Sequence, residues 1–284
     1  MALTVAPSVA SLDWRGTIAY IDQNGNEVER ARLRGLLGRP RPDAKVIRAI
    51  EARQNEDGGF ALGLVPGRPS SIDATALVLG WLQDLRLLRS PQAHTAVTYL
   101  LAQQRPDGSW DEAPSVIKFG PPPNLTPGDP RVQALCTALG GYWLALLGYR
   151  DDYAVVRAAA YLRERQASDG RVLGFLRTTW TATALFRLVD GPGSTAAGRG
   201  LGALAEVEAP RWGPGALIAM LDCLAEAGVP PDIPLIQLSL AMLKGLAQPD
   251  GSWPSEEGEF YHVEVTLKGL RVLLLYGIAS PLSA

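Results

Sequence analysis

Apolar and polar positions along the chain follow two alternating helical patterns. In one, apolar residues recur at i, i+3, i+4 and i+7 with polar residues between them, as at Val155, Ala158, Ala159 and Leu162, or at Ala96, Tyr99 and Leu100. Such a stripe predicts an amphipathic helix with one face on a core and the other in water. The second pattern is apolar nearly all round and covers residues 74–85, 132–147, 181–189, 216–227 and 263–276. It predicts helices buried on every side. Taken in turn, the two kinds predict an outer ring of helices packed on a buried inner ring.

The helix pairs share a turn. Residues 54–60 (QNEDGGF), 104–110 (QRPDGSW) and 166–172 (QASDGRV) have the form Q-x-x-D-G-x-Φ. Residues 247–253 (AQPDGSW) hold Ala in the Gln place, and residues 206–212 (EVEAPRW) keep only the ends of the pattern. The first residues, 54, 104, 166, 206 and 247, are 50, 62, 40 and 41 residues apart, which is one helix pair per repeat plus insertions. Gly at the turn tolerates positive φ, and the Asp side chain can hold backbone N–H groups. The closing aromatic then packs against the neighbouring repeat.

Five such pairs, with residues 28–37 as a further helix, can close on themselves. The fold class is therefore all-α: an α/α-toroid, a barrel of about five to six helix pairs. No Pro/Ser-rich linker divides it, so residues 38–284 read as a single toroid domain. Residues 1–37 read as an N-terminal extension or wrap, in which Asn24 and Gly25 suggest a short hairpin. Residues 112–130 (EAPSVIKFGPPPNLTPGDP) form the longest insertion. Loops of this length usually carry function, and Val116, Ile117 and Phe119 within it point to a lid or an apolar portal.

Composition narrows the function classes. The chain carries 27 basic and 29 acidic residues among 284, for a formal charge of −2, without a block of either sign. That leaves no electrostatic footprint for nucleic acid. The two cysteines, Cys136 and Cys223, each lie in an apolar helical pattern, which fits a reducing compartment better than a disulfide framework. The N-terminus lacks a basic n-region, and no window holds 18 uninterrupted apolar residues. The chain reads as cytoplasmic, with any membrane association peripheral. Its oligomeric state leaves no signal.

The Q-x-x-D-G-x-W turns resemble those of the squalene–hopene and oxidosqualene cyclases and of protein prenyltransferase β subunits, which share an α/α-toroid. The resemblance runs from about Gly38 onward and is to one toroid. Three segments extend it. Asp73, in residues 71–76 (SIDATA), is similar to the catalytic acid of D-x-D-D-T-A in the hopene enzymes and of V-S-D-C-T-A in the sterol-forming ones. Residues 135–138 (LCTA) resemble E-C-T-S, in which Cys136 would hydrogen-bond that acid. Residues 258–261 (GEFY) resemble a G-D-F-Y whose aromatics face the cationic intermediate. The resemblance implies an isomerase or lyase acting on an isoprenoid or another apolar small molecule in an apolar cavity. Asp73 would supply the proton and Cys136 support it. Three positions depart from the pattern: Leu139 replaces a supporting His, Ala74 a second Cys, and Leu62 an aromatic.

Carbocations are stabilised by aromatic faces, and Trp180, Phe260, Tyr261, Tyr142, Trp81 and Phe60 are the candidates to line a substrate. Each is equally read as core packing. Asp73 is equally read as the N-cap of its helix, bonding the N–H of Thr75 or Ala76. The alternative function is then a non-catalytic toroid that binds an isoprenoid, another lipid or an apolar peptide. A third reading starts from residues 260–262 (FYH), which resemble the segment carrying a zinc-binding His in prenyltransferases. Those enzymes add an Asp-x-Cys, whereas Asp222 and Cys223 are adjacent here, and their side chains diverge by about 100° on a helix. No metal or other cofactor is signalled.

Overall fold

The computed structural model describes residues 14–39, 42–208 and 212–279, and its α-helices alternate between the outside and the inside of a ring. The outer helices are α1 (Trp14–Asn24), α3 (Ala44–Glu51), α5 (Pro91–Gln103), α7 (Tyr153–Arg163), α9 (Thr195–Ala205) and α11 (Pro234–Gly245). The inner ones are α2 (Glu27–Leu36), α4 (Ile72–Asp84), α6 (Pro130–Leu144), α8 (Leu176–Asp190), α10 (Pro214–Glu226) and α12 (His262–Leu275). Each inner helix packs on the next, and α12 packs back on α2. The expected all-α toroid forms, with six helix pairs. Burial separates the rings as the sequence patterns require: α6 buries nearly its whole length, while α3 buries only Val46 and Ile50.

The sixth pair comes from the stretch read as an extension. Helix α1 packs on α2 and α12, and no hairpin forms over residues 14–27. Trp14, Ile18 and Ile21 recur at helical spacing, and Asn26 caps α2 by accepting from the N–H groups of Val28 and Glu29. Residues 1–13 lie outside the described residues.

The repeated turn explains how the pairs register. Gln54 Nε2 donates to Gly58 O in its own turn and to Gln92 O on the next outer helix. Gln104 does the same with Gly108 and Ala154, and Gln166 with Gly170 and Ala196. The last motif residue donates its backbone N–H to a Thr hydroxyl on the following inner helix: Phe60 to Thr75, Trp110 to Thr137, Val172 to Thr179, Trp253 to Thr266. Each turn Gly sits at positive φ, 88° at Gly58 and 84° at Gly251. A Cβ at Gly170 would stand 2.1 Å from Arg199 O, and one at Gly251 would stand 2.3 Å from the Thr17 backbone N. The last turn therefore docks on α1 as the others dock on their next outer helix, with Thr17 Oγ1 donating to Gly251 O at 2.7 Å. That contact closes the ring.

Candidate active site at the N-terminal ends of the inner helices

Helix α4 is entered from a two-residue hairpin, β1 (Phe60–Ala61) paired with β2 (Ser70–Ser71). Ser71 is the N-cap, its Oγ accepting from the N–H of Ala74. Asp73 is not the cap. The helix starts at Ile72, earlier than the apolar run suggests, which puts Asp73 inside the first turn with its side chain available to another partner. That partner is Arg177, the second residue of α8, whose Nη1 donates to Asp73 Oδ1 at 2.6 Å. Both side chains are partly exposed, 24% for Asp73 and 37% for Arg177.

The α4 N-terminus is held by a residue that the sequence patterns did not single out. Glu112 is 2% exposed and accepts from Ser71 Oγ at 3.0 Å, from the N–H of Ile72 at 3.2 Å and from the N–H of Asp73 at 3.1 Å. The Cys136 thiol also donates to it, at 3.8 Å. Cys136 thus sits on Glu112 and not on Asp73, and burial pushes that thiol well up, keeping it neutral. Burial raises the Glu112 carboxyl to about 7, aided by the charge of Asp73 and opposed by its three hydrogen bonds at the helix start. An acid directly after a Q-x-x-D-G-S-W-D turn was the available signal, but it read as the first residue of a loop.

The sign of the resulting pH dependence follows. A folded-state value above the unfolded one means that the native protein binds this proton more tightly. The stabilisation is complete below about pH 4.5 and is lost as pH rises toward 7, for a total of about 3 kcal/mol. Glu112→Gln, which carries no charge, is expected to gain stability relative to wild type across that interval. Thermal melts of both proteins at pH 4.5 and pH 8 check this, and a constant difference between them contradicts it.

Outer helices cover the outward faces of the inner ring, so partial exposure on an inner helix marks the face toward the lumen. On α4 that face is Asp73, Leu77, Gly80 and Trp81, each partly exposed among buried neighbours, and it ends at buried Asp84. On α10 it is Ala216, Ala219, Asp222 and Glu226, and on α12 it is Glu264 and Lys268. The aromatics distribute unevenly. Tyr142 and Trp180 are buried on α6 and α8, and Trp180 lies 6.1 Å from Trp212 between ring centroids. Phe60 is wholly buried as the packing aromatic of its repeat. Phe260 is 88% exposed and stacks edge-on with Tyr261 in the turn before α12, so this pair lies at the surface and outside the core. The insertion over residues 112–130 makes two 3-10 turns, burying Val116 and exposing Ile117 and Phe119.

Deeper in the ring the inner helices carry an ionic network. Arg32 pairs with Asp84 and Glu264, and Arg271 pairs with Asp84, Asp222 and Glu226. These residues come from α2, α4, α10 and α12, and buried Tyr142 on α6 feels their charges. Burial would raise the Glu264 carboxyl, but Arg32 and Lys268 outweigh it and bring it to about 2. Burial outweighs the cations at Asp84 and Asp222, which are raised. Asp222 and Cys223, weighed as zinc ligands, are engaged elsewhere. Asp222 holds Arg271, and Cys223 is buried beside Tyr142 and Thr181, its thiol pushed up to about 12 by burial. Among the described residues, no three His, Cys, Asp or Glu side chains converge at metal-binding spacing.

No protein-family model and no curated protein matches the sequence. Solved structures do match. The type II terpene cyclase MstE from Scytonema superposes with a TM-score of 0.61 at 15% identity, over 92% of this chain and 96% of that one. A variant of the same enzyme bound to geranylgeranyl dihydroxybenzoate gives 0.64 at 14% identity, over 97% and 100%. A protein from Actinoplanes gives 0.60 at 17% identity, over 95% and 100%. At such identities the likeness speaks for architecture, and the architecture of this chain is the single α/α-toroid of a terpene-cyclase-like fold.

Proposed function

We propose that the protein is a terpene-cyclase-like isomerase or lyase, in which Asp73 protonates a carbon–carbon double bond of an isoprenoid held in the lumen. One observation carries this reading: Asp73 heads the lumen-facing stripe of α4, above Leu77, Gly80 and Trp81. A proton delivered there forms a C–H bond with the alkene π pair and leaves a carbocation. Aromatic faces stabilise such a cation, and Trp81 is an aromatic on that same stripe, whereas Trp180 and Tyr142 are buried on α8 and α6. Loss of a carbon-bound proton then restores the balance, so the product is an isomer. That MstE forms bind geranylgeranyl dihydroxybenzoate and merosterolic acid A supports an isoprenoid ligand.

Incubation with squalene, oxidosqualene and shorter polyprenyl compounds in D2O tests the reaction. The expected product is an isomer of its substrate carrying one deuterium at the protonated carbon. Conversion without deuterium excludes proton initiation.

The Asp73–Arg177 contact favours a second reading. The contact occupies Asp73 Oδ1 and keeps it from a substrate, and a toroid that holds it closed binds an isoprenoid, lipid or apolar peptide without converting it. Recovery of bound but unaltered ligand is the outcome that selects this alternative.

A further inference from the structure

The lumen has a polar end, and its hydrogen-bonding groups are incompletely used. Among the described residues, Trp81 Nε1, Gln83 Oε1, Asp84 Oδ1, Asp222 Oδ1 and the Tyr276 hydroxyl are buried and make no hydrogen bond. Asp84 Oδ1 has only Arg271 Nε as an ionic neighbour, at 3.5 Å. Asp84 itself is 4% exposed, and it closes the lumen-facing stripe that begins at Asp73. Trp81 follows Asp73 by eight residues, which places it about 12 Å further along the helix axis. Asp73 and the polar end therefore lie at opposite ends of the lumen-facing stripe of α4.

We infer that this polar end is the subsite for the head group of the isoprenoid, and that the head group is an uncharged, hydroxyl-bearing one. The inference rests on the isoprenoid reading above and adds to it the orientation and chemical class of the ligand. The unused groups include two donors, Trp81 N–H and Tyr276 O–H, and two acceptor oxygens, on Asp84 and Asp222. A hydroxyl both donates and accepts, so it satisfies members of each set, whereas a hydrocarbon end leaves all of them unpaired at a cost. Charge decides against an anion. Three cations, Arg32, Lys268 and Arg271, face four carboxylates, Asp84, Asp222, Glu226 and Glu264. A carboxylate or diphosphate would add negative charge to an environment that already holds an excess. With the head group here, the far end of the chain reaches Asp73, where an acid-initiated cyclisation needs its terminal alkene.

Calorimetric titration of the protein with farnesol, farnesoic acid and farnesene, which share a chain and differ at the head, tests this directly. Farnesol is expected to bind about tenfold tighter than the hydrocarbon, the worth of one or two neutral hydrogen bonds, and tighter than the carboxylate. Trp81→Phe keeps the ring and removes the N–H, and is expected to erase most of the advantage of the alcohol over the hydrocarbon. Asp222→Asn removes one negative charge, and is expected to improve the acid more than the alcohol. Equal affinity for alcohol and hydrocarbon, or preference of the wild type for the acid, overturns the subsite assignment while leaving the isoprenoid reading in place. If none of the three binds, the isoprenoid reading falls and the subsite with it.

Discussion

Asp73→Asn is expected to lower isoprenoid turnover by about a thousandfold while leaving the protein folded. A positioned general acid is worth roughly 10²–10⁴ in rate, and the amide keeps the shape of the carboxyl without its proton. The cost in stability is small because the ion pair with Arg177 joins two partly exposed side chains, and such pairs contribute about 1 kcal/mol or less. Asp73→Ala is expected to melt close to Asp73→Asn, since the cap is Ser71. Ser71→Ala, by contrast, costs about 1 kcal/mol as a lost cap. Arg177→Gln separates the two functional readings. Arg177 occupies Asp73 Oδ1, so freeing that oxygen for the substrate is expected to raise turnover several-fold, opposite in sign to Asp73→Asn. Steady-state rates of the two variants decide. If Asp73→Asn keeps its turnover, the acid lies elsewhere. If Arg177→Gln loses as much as Asp73→Asn, the arginine serves the reaction and does not restrain it.

The repeats were legible because they are local. A turn that ends an amphipathic helix needs its Gly and Asp within a few residues, and five worn copies at helix-pair spacing define a ring without any knowledge of distant contacts. The inner helices were found by the same logic, within a few residues at each end. What escaped was everything that depends on ring closure. Glu112 acts on a helix start about 40 residues earlier, Arg177 meets Asp73 across 104 residues, and Arg32 meets Glu264 across 232. Each of these charges is ordinary in its own neighbourhood. Arg32 lies among Arg30 and Arg34, and Asp84 and Asp222 stand among apolar residues. The resemblance located Asp73 at the mouth of the lumen but misplaced its company. Cys136 turned to Glu112, and the aromatics of residues 260–261 turned to the surface. A mainly apolar cavity was expected because the inner helices are apolar on average, yet Asp84, Asp222, Glu226, Glu264 and Arg271 on those helices meet one another inside the ring.

Arg32→Met is expected to destabilise the protein by about 3–5 kcal/mol, because removing one partner of a buried ionic group leaves uncompensated buried charge. Arg32 is wholly buried and joins α2 to α4 through Asp84 and to α12 through Glu264, so it spans the seam where the first and last inner helices meet. The loss corresponds to a melting temperature lower by on the order of 10 °C for a chain of this size. The penalty is also expected to depend on pH. The folded Glu264 carboxyl titrates near 2, below its ordinary value of 4.5. Its contribution is therefore complete above about pH 4.5 and is lost as pH falls toward 2. The variant has already lost the arginine that creates this contribution, so the gap between it and wild type narrows in acid. Arg32→Lys is expected to recover only part of the stability, since an ammonium cannot reproduce the guanidinium fork that reaches two carboxylates at once. Melting curves of the three proteins at pH 7 and pH 3 test the argument. A penalty below about 1 kcal/mol at pH 7 means that Asp84 and Glu264 find protons or Arg271 without cost, and the ring then closes through the packing of α1 and the Thr17–Gly251 contact alone.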